Sequence, residues 1–220
     1  MTMSSNKLEE KLNQLVEFSK NSGQIDLTLY TEYDVKRGLR DSTGKGVLTG
    51  LTEISDVVSF KYDEFGRKVP DDGHLYYQGY DVEKLIQGFE NRRFGFEEIT
   101  YLLMFGELPS KVQLDDFVEI LSYYRDLPDT FVRDVIMKAT SKNMMNSLQK
   151  GVLTLYSYDE DPDNITIPNV LKQELSLIAK FPLIAVYSYH AYRHYHLNKN
   201  LVIRNPRPEL SFAENIFNKI

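Results

Sequence analysis

The stretch Gly73–Pro109, GHLYYQGYDVEKLIQGFENRRFGFEEITYLLMFGELP, decides the fold class. Leu75-Tyr76-Tyr77 has the bulky aromatic character of a pleated, half-buried strand, and Gly79 breaks it. Asp81 can cap a short helix by accepting from an orphan N–H of its first turn. A second helix starts after Gly95, with Glu97 and Glu98 where the positive end of the helix dipole favours carboxylates. Phe96, Ile99, Leu102 and Leu103 share a face at helical spacing. Gly106 stands where a left-handed cap residue is wanted, and Pro109 forbids continuation. The stretch reads as strand, turn, helix, loop, helix, stop, a helical hairpin packed on a core.

Outward from it, helices dominate after Asp81. Ser110 and Gln113 form a capping-box pair ahead of Leu114, Phe117, Val118 and Leu121, and Leu127-Pro128 closes that helix. Asp129 is placed to cap the next, which carries Val132, Val135, Ile136 and Ala139. Met145, Leu148, Val152, Leu155 and Tyr156 form an apolar stripe, and the acidic run from Asp159 to Asn164 is a solvated loop. Asn169–His196 is the longest helical candidate. It is apolar on almost every side from Leu175 to Tyr189, which calls for burial on almost every side. Pro182 inside it predicts a kink near Ile178–Phe181. Ser211, with Glu214 three residues on, starts a final helix in which the chain stops, as a truncation would.

Toward the N-terminus, Leu8, Leu12, Leu15 and Val16 mark an amphipathic helix ended near Gly23, a tail lying on the body or on a partner. A small antiparallel sheet is expected from segments near Val47–Leu51, Val57–Phe60 and Leu75–Tyr77, with Asp63 to Gly73 as a polar hairpin-like loop. The fold class is therefore mainly α with a small antiparallel β-sheet near the N-terminus. Residues 1–34 form a helical extension, 47–78 a β region and 81–220 the helices.

Composition excludes several classes. The 220 residues suffice for one good core and at most two domains. With 26 basic and 32 acidic residues, the net charge of −6 argues against a broad nucleic-acid-binding face and against anionic membranes. There is no cysteine, hence no disulfide frame, no thiol nucleophile and no thiolate metal site. The polar Met1–Asn6 lacks a signal core, Glu9 and Glu10 disfavour a transit peptide, and no apolar run approaches a membrane span. The expectation is a cytoplasmic protein.

Each chemistry-like motif has a plainer reading. Thr43-Gly44-Lys45-Gly46 lacks the glycine five residues earlier and the terminal Ser or Thr of a phosphate loop, so it reads as a tight turn. His190 and His194 are four apart, which is ligand spacing. No third ligand completes the face, so with His196 they read as partly exposed residues near a helix C-terminus, where Arg193 also suits the dipole. His74 lies in a polar turn. Asp115, Asp116 and Glu119 read as a solvated helix face, and Lys36, Arg37 and Arg40 as a small basic patch. The 15 tyrosines fit either a large interface or an ordinary core. No residue is assigned a catalytic, substrate-binding, cofactor-binding or metal role.

The run Gly73–Asp81, then Phe96-Glu97-Glu98, Tyr101-Leu102-Leu103 and Gly106-Glu107-Leu108-Pro109, closely resembles the N-terminal half of citrate synthases. Arg37-Gly38-Leu39-Arg40-Asp41, Gly46-Val47 with Gly50-Leu51-Thr52, Ala139-Thr140-Ser141 before Met145-Asn146, and Pro206 through Asn215 resemble them in the same order. Gln78 departs from the pattern, which has an arginine there. The resemblance covers about Val35 to Ile220. It implies that 35–220 is a partial large domain, the helical large-domain portion of the citrate synthase fold, lacking the small catalytic domain.

The parent enzyme would be an acyltransferase of the tricarboxylic acid cycle, joining acetyl-CoA to oxaloacetate to give citrate and CoA. That chemistry needs a carboxylate base, a donor for the enolate oxygen, a second donor for the ketone and arginines for the substrate carboxylates. The family's two histidines, aspartate and arginines lie beyond the matched region, and the histidine-glycine-glycine-alanine-asparagine motif is absent. The chain alone is therefore expected to be inactive and to need no cofactor. The family's homodimer, formed through packed antiparallel helices, would use 145–158 and 169–196. The alternatives are a non-enzymatic helical oligomerisation or binding module on the same scaffold, and a portion of a 2-methylcitrate synthase taking propionyl-CoA.

Overall fold

The computed structural model describes residues 4–219 apart from 23, 37, 41 and 42. The expected helix end at Gly23, and the Arg37 and Asp41 positions of the resembling block, lie outside them. The chain divides into two compact units, Asn21–Pro109 and Met1–Lys20 with Ser110–Ile220.

In the first unit, α2 (Leu27–Glu32) is capped by the Asp26 side chain, which accepts from the Thr28 N–H. Strands β1 (Ser55–Tyr62), β2 (Lys68–Tyr77) and β3 (Tyr80–Asp81) form an antiparallel sheet in the order β1-β2-β3. Val47–Leu51 was expected in this sheet and is not in it. That segment instead bonds back on 36–40, through Lys36 N–H to the Leu48 carbonyl, Val47 N–H to the Leu39 carbonyl and a bridge between Arg40 and Gly46. The expected loop 63–73 is shorter than its polarity suggests. Asp63 accepts from the N–H groups of Phe65 and Arg67 and closes the turn within five residues, so strand resumes at Lys68. Pro70 is tolerated there because β3 reaches only Tyr76 and Tyr77, leaving the missing N–H on an unpaired edge.

Gln78 and Gly79 join β2 to β3 with φ of 49° and 79°. Two left-handed residues in a two-residue hairpin match the twist of the strands. Asp81 caps α3 (Val82–Gly88) through the N–H groups of Glu83 and Lys84, as its sequence position predicts. Helix α4 (Gly95–Phe105) ends on left-handed Gly106. Its buried face is rotated from the expected one. Phe96 is exposed, while Glu97, Glu98, Tyr101, Leu102 and Phe105 are buried. Arg92 donates to Glu98 at 2.9 Å, which compensates that carboxylate for leaving water.

In the second unit, α1 (Ser5–Asn21) buries Leu8, Leu15 and Val16. The Ser110–Gln113 capping box opens α5 (Lys111–Tyr124), which ends three residues before the expected Leu127-Pro128 stop. The helix expected after Asp129 is underwound into a π turn, Val132–Met137, that Asp129 does not cap. Its widened ladder still buries Phe131 and Ile136. Helix α6 (Met144–Leu155) is capped by Asn143. Helix α7 (Ile167–Leu197) runs through Pro182 without interruption and ends on left-handed Asn198. Phe131, Ile136, Leu183, Ile184, Tyr187 and Ala191 form the core, with Leu148 and Leu155 packed on it. Met145 and Tyr156, expected in that stripe, are exposed. The face α6 turns to the core carries Ser147 and Gly151 instead, and a Cβ on Gly151 would stand 2.5 Å from Ile184 Cγ2. Helix α8 (Phe212–Lys219) opens with Ser211 and Glu214 bonded reciprocally, as expected.

Candidate functional site

The segment 203–211 forms no helix or strand. Two buried polar side chains hold it. The Arg125 guanidinium, at the end of α5, donates to the carbonyls of Arg207 and Leu210, both at 3.1 Å. Asn215, in the first turn of α8, accepts from the Arg207 N–H at 2.9 Å and donates to the carbonyls of Arg207, Leu210 and Ser211. Only 4% of each residue is exposed, so these bonds form where water does not compete. Ser122 adds a hydroxyl bond to the Pro208 carbonyl.

Beside this clasp lies a cavity of about 630 Å³, lined by the 126–130 loop, Val132 and Arg133 of the π turn, Leu183 and Tyr187 of α7, and Asn205-Pro206. Asp134 grips Arg133 with two bonds, of 3.0 and 2.8 Å, and pairs with Lys138. The Arg133 guanidinium first, then Lys138 and Thr130, hold the Asp134 carboxyl far below the ordinary carboxylate range. Tyr187 donates to the Arg204 carbonyl at 2.6 Å. Burial, aided by Asp126, pushes its hydroxyl up to about 12, so Tyr187 keeps its proton at neutral pH. The arrangement positions chain and a polar pocket. Its titratable groups with shifted equilibria move away from neutrality, where a general acid or base would need to sit.

The motifs weighed from sequence fall elsewhere. Gly44 has φ of 83° and its carbonyl accepts from Arg40, so Thr43–Gly46 is a turn. Lys36 pairs with Asp34. His74 is an exposed strand residue opposite Val58. His190, expected to be partly exposed, is buried, because it falls on the α7 face that carries Tyr187 and Ala191 into the core. His194 Nδ1 donates to the Lys199 carbonyl at 3.0 Å, and His196 lies against the Tyr192 ring. Among the described residues no group of three His, Cys, Asp or Glu could hold a metal ion. Asp116 and Glu119 are not merely solvated, since they receive Lys11, and Glu119 also Lys7. Arg125 and Tyr187 carried no sequence signal. Asn215 was marked only as the end of the Pro206–Asn215 block.

The family model described as citrate synthase, C-terminal domain, matches residues 41–220. The chain belongs to the citrate synthase family. A citrate synthase of Haloferax volcanii is 32% identical over 161 residues, 70% of this chain and 37% of that protein. A 2-methylcitrate synthase of Corynebacterium glutamicum is 28% identical over 154 residues, 70% of this chain and 35% of that protein. The crystal structure of the Pyrobaculum aerophilum citrate synthase superposes with a TM-score of 0.60 at 26% identity, covering 82% of this chain and 43% of that one. The chain thus spans about two fifths or less of the length of these family members. Its helices and small sheet are those of the citrate synthase fold, as the sequence resemblance implied.

Proposed function

We propose that this chain is the scaffold portion of a citrate synthase whose intact form condenses acetyl-CoA with oxaloacetate. The observation that supports this most is the match over 41–220 together with a shared fold at a TM-score of 0.60. On this reading, residues 35–220 are part of the large domain, 1–34 an extension, and the reactive histidines and aspartate stand outside the matched segments. The cavity beside the 203–215 clasp then positions neighbouring chain and contributes no proton transfer. No helix among the described residues is long and apolar enough to cross a membrane, and a cytoplasmic enzyme of the tricarboxylic acid cycle is part of the same proposal.

The test is release of thiol from acetyl-CoA in the presence of oxaloacetate. The chain alone is expected to give no turnover above background, and measurable turnover would defeat the scaffold reading. Reading the gene beyond codon 220 separates the enzyme from a non-enzymatic helical module. An open frame carrying the missing histidines and the aspartate supports the enzyme, whereas an immediate stop codon supports the module. Similarity to the 2-methylcitrate synthase of Corynebacterium glutamicum leaves a second reading, in which the intact protein takes propionyl-CoA. Competition between acetyl-CoA and propionyl-CoA on the intact protein decides between the two.

A further inference from the structure

A second cavity of the helical unit, of about 340 Å³, opens over the solvent side of α7. Its floor is one face of that helix, since Lys172, Ser176 and Lys180 are spaced four residues apart. Pro128, Leu155 and Leu177 give it apolar walls, and Tyr124 closes one side. Lys180 Nζ reaches inward and bonds Ser176 Oγ at 2.6 Å. No carboxylate among the described residues lies within ion-pair distance of it. The lysines on α1, by contrast, pair with carboxylates across or along their helix. Asp159 and Glu160 line the same cavity beyond ion-pair distance, and Asp159, Lys172 and Asp126 act on Lys180 at longer range.

We propose that Lys180 is a site of covalent acylation by acyl thioesters. The step is nucleophilic. The neutral amine attacks the thioester carbonyl, a C–N bond forms, the C–S bond breaks, and the departing thiolate takes up the proton that nitrogen releases. The product is an amide and a free thiol, with no oxidant or other reactant required. Three features of the cavity favour the step at this lysine. Its walls accept a short apolar acyl chain. The absence of a close carboxylate removes the interaction that would hold the amine protonated. Burial, partly offset by Asp159, also lowers the Lys180 ammonium below the ordinary lysine range, which raises the fraction of free amine at a given pH. Lys172, on the same face but exposed to water, is the internal comparison.

The choice of a thioester as donor rests on the proposed function, whereas the nucleophilicity of Lys180 does not. The experiment incubates the intact chain at pH 8 with acetyl-CoA and, in parallel, with acetic anhydride at limiting concentration. Acetylation is followed at each lysine by peptide mass spectrometry. Lys180 is expected to be acetylated at least threefold faster than Lys172 and Lys84 by both reagents, and K180R is expected to leave the other rates unchanged. Equal or slower modification of Lys180 by both reagents overturns the site. Preference with the anhydride but not with acetyl-CoA overturns the thioester as donor. A failed condensation assay alters neither outcome, because the amide forms without oxaloacetate.

Discussion

Gly151 shows how one atom sets the distance between two helices. An added methyl would meet Ile184 Cγ2 at 2.5 Å, and Ile184 is fully buried in the core with a β-branched side chain that is stiff at χ1. Alanine would ordinarily favour a helix by about 1 kcal/mol over glycine. Overpacking costs about 1–3 kcal/mol and wins here. Gly151→Ala is therefore expected to lower the thermal midpoint, and a raised midpoint would mean that α6 and α7 separate freely. Asn215 acts through polarity. Replacing it with alanine strands the buried Arg207 N–H and leaves Arg125 as the remaining side-chain donor to the Arg207 and Leu210 carbonyls. A loss of about 1–3 kcal/mol is expected in urea unfolding. Neither role was legible from sequence. A glycine in an otherwise helical run and an asparagine in a capped first turn have many local explanations, and only the opposing side chains single one out.

At the scale of elements, local chemistry predicted the ends of helices well. Asp81, Gly106, the Ser110–Gln113 box and the Ser211–Glu214 pair all act within a few residues of themselves, so sequence order already contains their geometry. Burial faces were predicted less well, because a face is chosen by the partner. Phe96 turns outward while Glu98 turns inward beside Arg92, an exchange that periodicity cannot foresee. The docking of α1 on α5 is of the same kind. Glu119 receives Lys7 and Lys11, and their bonds hold its carboxyl below its ordinary value of 4.5. For Lys11, burial opposes the charge, but bonds to Asp116 and Glu119 outweigh it and raise the ammonium above 10.5. The signs follow by linkage. A lowered carboxylate contributes stability that is complete above about pH 5 and is lost as pH falls through 4.5 and below. A raised ammonium contributes stability that persists until pH rises beyond 10.5. The protection of α1 amides, corrected for the intrinsic pH dependence of exchange, is therefore expected to fall between pH 5 and 3, and Glu119→Gln should weaken that dependence. An unchanged profile in E119Q would remove the ion pairs as the anchor.

At the scale of the molecule, α7 is the unfinished surface. Its sequence asks for burial all round, yet Phe181 and Tyr189 remain exposed in the single chain. An apolar stripe on so long a helix is best covered by a partner, and the proposed homodimer through 145–158 and 169–196 supplies one. Light scattering at micromolar concentration is expected to give twice the chain mass. Phe181→Asp should return the monomer mass with helical content preserved, whereas a wild-type monomer would count against the interface.

The fold class, the family resemblance and most helix boundaries were legible in the order of residues, because caps, turns and motif order are local properties. Packing settled that 47–51 leaves the sheet, that His190 is core, and that Arg125 and Asn215 clasp 203–215. Each of these depends on which distant group a side chain meets. The free energy of burial is settled by that meeting and is not encoded in the spacing of residues along the chain.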